Sequence, residues 1–428
     1  MEEKQLQEGK RHGRRLVFVL YPFQGHISPM LGLATILHSA GFSITIVHPQ
    51  FNSPSPINHP PDFTFISIPD PLSQGKVSPG DFAAAMAALN GDSVADHLKL
   101  PAINVRTSAA ITFIAFASLP HPQHHGYMSL QELFSQDLGP NLQSLKLKEL
   151  LEPMTSHIHS NALPDLRAKM REATSSSSAI IVNTLEFLEH EVLEIIKGYF
   201  SPPIFTIGPF HKLAQTTFSS TSLLKENTDC ISWLDKQAPQ SVIYVSFGSM
   251  ASMDGKEVHE IAWGLGSSQQ PFLWVVRSGS VRGSDQPNPL LPEGFEEGVG
   301  ERGCIVEWAP QKEVLGHSSV GGFWSHCGWN STLESVCERV PMICRPFFGD
   351  QGFNARYVCR AWKAGLELEG TLERDKIEKA VRRLMVDEEG VEMRKKTLEF
   401  KVKTQLALKE GGSSYNSLEE LVEKILSF

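Results

Sequence analysis

The sequence predicts an α/β protein of two Rossmann-like, doubly wound domains facing each other across a cleft. Three observations predict it. The chain has 428 residues, more than a single hydrophobic core organises and enough for two large domains. Each half alternates short apolar runs of the buried parallel-strand type with stretches of helical periodicity. Between the halves lies HKLAQTTFSSTSLLKENT (211–228), polar, Ser/Thr-rich and aperiodic, which reads as a linker. Residues 1–210 are then the first domain, 229–410 the second, and 411–428 a terminal helix packing back on the first.

In the first half, LVFVLYP (16–22) is a continuous apolar strand. Ser28 followed by Pro29 is a helix N-cap and first-turn pair, and the helix it opens stops at Gly41. FSITIVHP (42–49), FTFISIP (63–69), PAINVRT (101–107) and AIIVNT (179–184) are further strands, with helical segments between them. In the second half, SVIYVSFGS (241–249) is a strand ending in a glycine turn, KEVHEIAWGLGSS a helix, and PFLWVVR (271–277) a strand. CIVEWAP (304–310), VGGFWSH (320–326) and PMICRP (341–346) are three more strands, each preceding a helix. Three helices follow, the last after the Gly411–Gly412 break. Tandem sheets of this kind bind ligands at the carboxyl edges of their strands.

Composition narrows the function. With 41% hydrophobic and 20% charged residues and a formal charge of −9, the chain lacks the basic balance of a dedicated nucleic-acid binder. Its six cysteines all lie in the second half and form no C-x-x-C pair, so they read as reduced thiols rather than a disulfide framework or zinc site. The charged start MEEKQLQEGKRHGRR precedes only a short apolar run, and no stretch reaches spanning length. The expectation is a cytosolic protein without a membrane span.

The chemistry-bearing residues concentrate at strand–helix junctions of the second half. After the strand ending at His326, the helix opens with Trp329, Asn330 and Ser331. A helix N-terminus beside an amide, a hydroxyl and an imidazole makes a cradle for a diphosphate. Glu334 lies one turn beyond Asn330 on the same face, where its carboxylate suits a ribose diol. Trp308, just after a strand, offers a flat face to a base. Asp350 and Gln351, in the loop after another strand, suit sugar hydroxyls. Taken singly, each has an ordinary use as a cap, a core side chain or a solvated loop residue. Their recurrence at three consecutive junctions is what points to a ligand.

The block WAPQKEVLGHSSVGGFWSHCGWNSTLESVCERVPMICRPFFGDQ (308–351) resembles, without a gap, the 44-residue signature of the plant UDP-dependent glycosyltransferases that glucosylate secondary metabolites. The similarity extends through SVIYVSFGS, WLDKQAP and the GGSSYNSLEELV tail, and PFQGHISPML near the start is similar to a subgroup acting on terpenoid, phenolic and hormone-like acceptors. The resemblance implies a GT-B-type fold. It implies that Trp308 stacks on uracil with the Ala309 backbone and Gln311 on the nucleoside. Glu334 would hold the ribose. His326, Asn330, Ser331 and Ser249 would bind the diphosphate, and Trp329, Asp350 and Gln351 the glucose. It implies UDP-glucose as cosubstrate, a small hydrophobic acceptor, a monomer, and no metal or other cofactor. The absence of any D-x-D sequence agrees with metal-independent transfer, helix dipole and side chains stabilising the departing UDP.

The reaction also needs a base. His26, in GHISP after the first strand, has an ordinary pKa suited to deprotonating a hydroxyl at neutral pH, and it occupies the family's G-H-x-x-P position. In the family an Asp at the end of a later strand orients this histidine. Here SVADHLKLP (93–101) is present, but the strand and Asp expected before it are not; the usual offset reaches Ala85, and only Asp92 and Asp96 lie nearby. Two readings follow: an inverting glucosyltransferase acting on a hydroxyl or carboxyl, or a catalytically impaired UDP-sugar-binding relative or truncated splice form. A nicotinamide oxidoreductase is disfavoured, since PFQGHI stands where a G-x-G-x-x-G turn would be.

Overall fold

The computed structural model describes residues 13–69, 99–117, 143, 162–214, 222–282 and 291–428. The chain divides into two units, Met1–Leu223 with Leu406–Phe428, and Leu224–Gln405.

The first unit runs β1 (Arg15–Val19), α1 (Gln24–Ser39), β2 (Ser43–Pro49), β3 (Thr64–Ile68), β4 (Ile103–Arg106), α2 (Ala110–Ala117), α3 (Ala162–Ser175), β5 (Ala179–Val182), α4 (Glu186–Tyr199), β6 (Ile204–Thr206) and α5 (Phe210–Leu213). All its strand pairings are parallel, but the described strands form two three-stranded sheets, β1-β2-β3 and β4-β5-β6. The outer edge of β1 has no strand partner among the described residues, and Val17 and Val19 on it are 57% and 61% exposed. The segment read as deficient, with Ala85, Asp92 and Asp96, lies outside the described residues. One apolar core still joins the two sheets, with Phe18, Ile27, Leu31 and Ile46 packing alongside Ile181 and Phe205. Buried Glu189 of α4 accepts hydrogen bonds from the Ala110 and Ile111 backbone N–H groups at 3.0 and 3.2 Å, fixing the start of α2.

Two expectations need correction here. The first helix does not open at Ser28–Pro29: α1 begins at Gln24, with extended Phe23 as its N-cap and Pro29 inside. The Phe23 carbonyl accepts from the N–H groups of His26 and Ile27 at 2.8 and 2.9 Å, closing the first turn early. Proline so near a helix start removes one backbone bond only, so the pair reads as a start without being one. His26 is therefore a first-turn residue of α1 rather than a residue ahead of it. The stretch 211–228 is not uniformly linker either. Residues 211–213 complete α5, whose Phe210 is buried in the first unit's core, residues 215–221 lie outside the described set, and from Leu224 the chain belongs to the second unit.

The second unit runs α6 (Asp229–Leu234), β7 (Val242–Ser246), α7 (Gly255–Ser268), β8 (Phe272–Val275), α8 (Phe295–Val299), β9 (Gly303–Val306), α9 (Gln311–Gly316), β10 (Val320–Ser325), α10 (Trp329–Cys337), β11 (Met342–Cys344), α11 (Gln351–Arg356), β12 (Gly365–Glu367) and α12 (Arg374–Met385). Its single six-stranded sheet is parallel throughout, in the order β12-β11-β10-β7-β8-β9. Ile243, Val245, Trp274 and Trp324 of the sheet pack with Val258 and Leu265 of α7 and Ile377 and Leu384 of α12. Asp254 and Glu257 form a reciprocal capping box that starts α7. The strand order reverses between β7 and β10, and a sheet of this topology receives ligands at the carboxyl ends of the strands flanking that reversal.

The chain then runs through α13 (Glu388–Leu408) into α14 (Ser413–Leu426), which belongs to the first unit. Ser414 donates to the Gly208 carbonyl at 2.7 Å, and the Arg14 guanidinium donates to the carbonyls of Ile425 and Leu426, both at 2.8 Å.

Candidate active site

In the second unit, the residues singled out in the sequence follow the carboxyl ends of β7, β9, β10 and β11. Ser249 sits in the turn after β7, carried by Gly248 at φ +72°. His326 follows β10. A side chain is nearly excluded around it: a Cβ on Gly248 would lie 2.6 Å from His326 Nε2, and one on Gly328 2.5 Å from the same atom. The two glycines thus let the β7 and β10 turns close on the imidazole from two sides. Burial lowers the His326 pKa to about 4, opposed by a hydrogen bond with the Ser246 backbone, so the ring is neutral near pH 7 and has a single N–H, which serves either that backbone or a phosphate.

Gln311 opens α9 and its amide nitrogen donates to both Ser331 Oγ at 2.9 Å and Glu334 Oε2 at 2.7 Å. Its carbonyl accepts from the Tyr244 hydroxyl at 3.3 Å. Ser331 and Glu334 are thus joined through the Gln311 amide. Trp308 is half-buried, and its carbonyl accepts from the Asn227 N–H at 2.8 Å. Ala309 beside it is buried, so its backbone is what it can present. Asn330 occupies the second position of α10 and Trp329 the first. The Trp329 side chain is 3% exposed, its ring 6.2 Å from that of Trp362. What it leaves toward the helix start is chiefly its backbone N–H.

Asp350 caps α11 with its pKa raised to about 6 by burial, against the pull of the Asn354 amide. The Gln351 carbonyl accepts from the backbone N–H groups of Phe347 and Phe348 at 2.8 and 3.1 Å, which directs its amide nitrogen away from that loop. Sequence reading missed two residues that brace these loops. Asn354 is fully buried and donates to the Cys327 carbonyl at 2.9 Å and to Asp350 Oδ2 at 3.4 Å, joining the β11–α11 loop to the left-handed residue Cys327 at φ +65°. Arg277 donates to the Ala251 carbonyl at 2.7 Å and the Gly248 carbonyl at 3.4 Å, holding the turn that carries Ser249. Neither lies in a local pattern; Asn354's spacing of four from Asp350 on one helix face was the only signal available.

In the first unit, His26 Nδ1 and Thr107 Oγ1 are 2.8 Å apart. The imidazole lies edge-on to Tyr21 and Phe23, with ring centroids 5.8 and 6.4 Å away. Its pKa is lowered to about 4, first by burial and then by the Arg106 guanidinium. Arg106 lies 4.1 Å over the Phe113 ring, and burial brings its own pKa down to about 10. No carboxylate pairs with His26 among the described residues. Nor is any cluster of three or more His, Cys, Asp or Glu placed among them to hold a metal ion.

Two doubly wound units, the second with a ligand-type switch point, define a GT-B-type protein. The profile described as UDP-glucoronosyl and UDP-glucosyl transferase matches residues 72–397. UDP-glycosyltransferase 76B1 of Arabidopsis thaliana is 44% identical over 451 aligned residues, covering 98% of this chain and 99% of that protein. A TcCGT1 crystal structure in complex with UDP superposes with TM-score 0.76 at 26% identity, covering 96% of this chain and 98% of the other. A Phytolacca americana UGT2 structure complexed with UDP-2fluoro-glucose and pterostilbene gives TM-score 0.71 at 26% identity, over 96% and 99%. The chain belongs to this UDP-glycosyltransferase family, whose members are enzymes that transfer a glycosyl group from a UDP-sugar to an acceptor. The aligned length exceeds the 428 residues of this chain, so the Arabidopsis relative carries residues that this chain lacks.

Proposed function

We propose that this enzyme transfers glucose from UDP-glucose to a hydroxyl or carboxyl group of a small hydrophobic plant metabolite of terpenoid, phenolic or hormone-like type, with inversion to a β-glucoside. The observation that carries the donor reading is the prearranged group at the sheet's switch point: Gln311 bridging Ser331 and Glu334, and His326 enclosed between two glycine turns. Trp308 stacks on uracil, Ala309 and Gln311 meet the nucleoside, and Glu334 holds the ribose. His326, Asn330, Ser331 and Ser249 hold the diphosphate, and Trp329, Asp350 and Gln351 hold the sugar. The relative bound to UDP-2fluoro-glucose and pterostilbene supports both the glucose donor and an apolar phenolic acceptor. His26 takes the acceptor proton as the oxygen attacks the anomeric carbon. The bond to UDP breaks, and UDP leaves with the electron pair toward the α10 N-terminus. Transfer needs no metal, and the enzyme acts as a monomer in the cytosol. Six free cysteines suit a reducing compartment, and no helix among the described residues is long and apolar enough to cross a membrane.

A second reading, a UDP-sugar-binding relative with impaired turnover, is favoured by one observation: among the described residues, the strands of the first unit form two separate sheets and His26 meets a hydroxyl and no carboxylate. The test is incubation with UDP-glucose and a panel of phenolic and terpenoid alcohols, read by mass and by the anomeric proton coupling. A β-glucoside supports the first reading. UDP-glucose binding without product supports the second, and an α-glucoside overturns the single-displacement mechanism.

A further inference from the structure

We propose that Thr107 is the positioning residue of His26, its hydroxyl taking the place at the imidazole Nδ1 that a carboxylate would otherwise hold. This rests on the reading of His26 as the general base. His26 is fixed in the first turn of α1, and Thr107 directly follows Arg106 at the carboxyl end of β4. His26 follows β1 of one sheet and Thr107 follows β4 of the other, yet Nδ1 and Oγ1 meet at 2.8 Å, and Thr107 is 9% exposed. A base must present a lone pair to the acceptor. With Nδ1–H donated to Thr107 Oγ1, the lone pair falls on Nε2, and the ring is held against rotation.

A hydroxyl differs from a carboxylate in one respect that can be measured. It can accept the Nδ1–H as a carboxylate does, but its own O–H could also donate to Nδ1, and it brings no negative charge, so it does not stabilise the imidazolium formed when the proton arrives. The groups facing His26 among the described residues are Tyr21 and Phe23 from the segment between β1 and the first turn of α1, and Arg106 and Thr107 from β4 and its end. Of these only Arg106 is charged at neutral pH, and it opposes protonation. Thr107 therefore orients the base while leaving it a weak one.

The test compares wild type, Thr107→Ser, Thr107→Val, Thr107→Asp and His26→Ala in the full-length enzyme. Two readouts are taken: the pH profile of transfer from UDP-glucose to a phenolic alcohol, and the ring 15N shifts of His26 in histidine-labelled protein, which need no turnover. Thr107→Val is expected to lower kcat on the order of 10- to 100-fold, part of the roughly 10²–10⁴-fold due to a general base, with the KM for UDP-glucose unchanged. It should also mix the two neutral tautomers. Thr107→Ser should retain the Nδ1–H form and most of the turnover. Thr107→Asp should move the acid limb of the profile upward. Unchanged kcat together with an unchanged tautomer in Thr107→Val overturns the proposal. Full turnover in His26→Ala overturns the general-base reading itself, whatever the Thr107 variants do. In an enzyme without turnover, the 15N shifts alone decide: a pure Nδ1–H form lost in Thr107→Val upholds the positioning, and no change refutes it.

Discussion

The enclosure of His326 by two glycines gives a prediction with separable contributions. In Gly248→Ala, the new Cβ falls 2.6 Å from His326 Nε2 and 2.7 Å from Cε1, on a backbone at φ +72°. The left-handed conformation costs a non-glycine residue roughly 1–2 kcal/mol, and overpacking adds about 1–3 kcal/mol, so about 2–5 kcal/mol is expected. In Gly328→Ala the Cβ lies 2.5 Å from the same nitrogen, but the backbone is at φ −58°. Only the overpacking, about 1–3 kcal/mol, then applies. Both variants push the imidazole from its place. If it donates to a UDP phosphate, a charged hydrogen bond of about 1.5–3 kcal/mol goes with it, or roughly 10- to 100-fold in affinity. Thermal unfolding and calorimetric titration with UDP measure the two effects. His326→Ala removes the overlap, so Gly248→Ala/His326→Ala should be more stable than the sum of the single changes predicts. A Gly248→Ala enzyme with wild-type stability and UDP affinity, or strict additivity in the double variant, would refute the reasoning.

Other outcomes follow from the same geometry. His26 in the first unit and His326 in the second each have a pKa lowered from 6.5 to about 4, so the unfolded chain binds their protons first as the pH falls. Stability is therefore lost from about pH 6.5 down through 4, by about 3 kcal/mol for each group. Asp350 acts in the opposite sense between about 6 and 3.8, since its folded pKa is raised and the native second unit takes up that proton. Denaturant melts at pH 7 and 4.5 should accordingly show the first unit losing more than the second; equal losses would contradict the assignment. Glu334→Ala should weaken UDP-glucose binding by about 1.5–3 kcal/mol, and the difference should vanish with a donor lacking the ribose hydroxyls. Asn354→Leu leaves the Cys327 carbonyl and Asp350 without their shared amide and should destabilise the second unit by about 1–3 kcal/mol, read as a fall in its unfolding midpoint.

Much of this was legible in the sequence because the signals were local. The strands of the second unit read as unbroken apolar runs, and β7 and β10 fell within the expected segments. The residues of 308–351 gather at strand ends because a parallel sheet places every βα turn on one edge. β6 and β12 went unread, since three residues carry no usable period. The α1 boundary was misjudged because Pro29 is as acceptable inside a helix start as at it. Thr107, Arg277 and Asn354 act across distances the sequence does not encode: Thr107 meets a residue 81 positions away and Arg277 one 29 positions away. The strand pattern missing before SVADHLKLP falls outside the described residues; what the structure adds in the first unit is the hydroxyl of Thr107 at His26.

The central claim is that the second unit carries a complete UDP-glucose site whatever the state of the first. Calorimetric titration of UDP-glucose into wild type, His26→Ala and Glu334→Ala tests it directly. The account predicts one site per chain, affinity unchanged in His26→Ala and reduced in Glu334→Ala. Absent binding in wild type, or binding indifferent to Glu334, would contradict it.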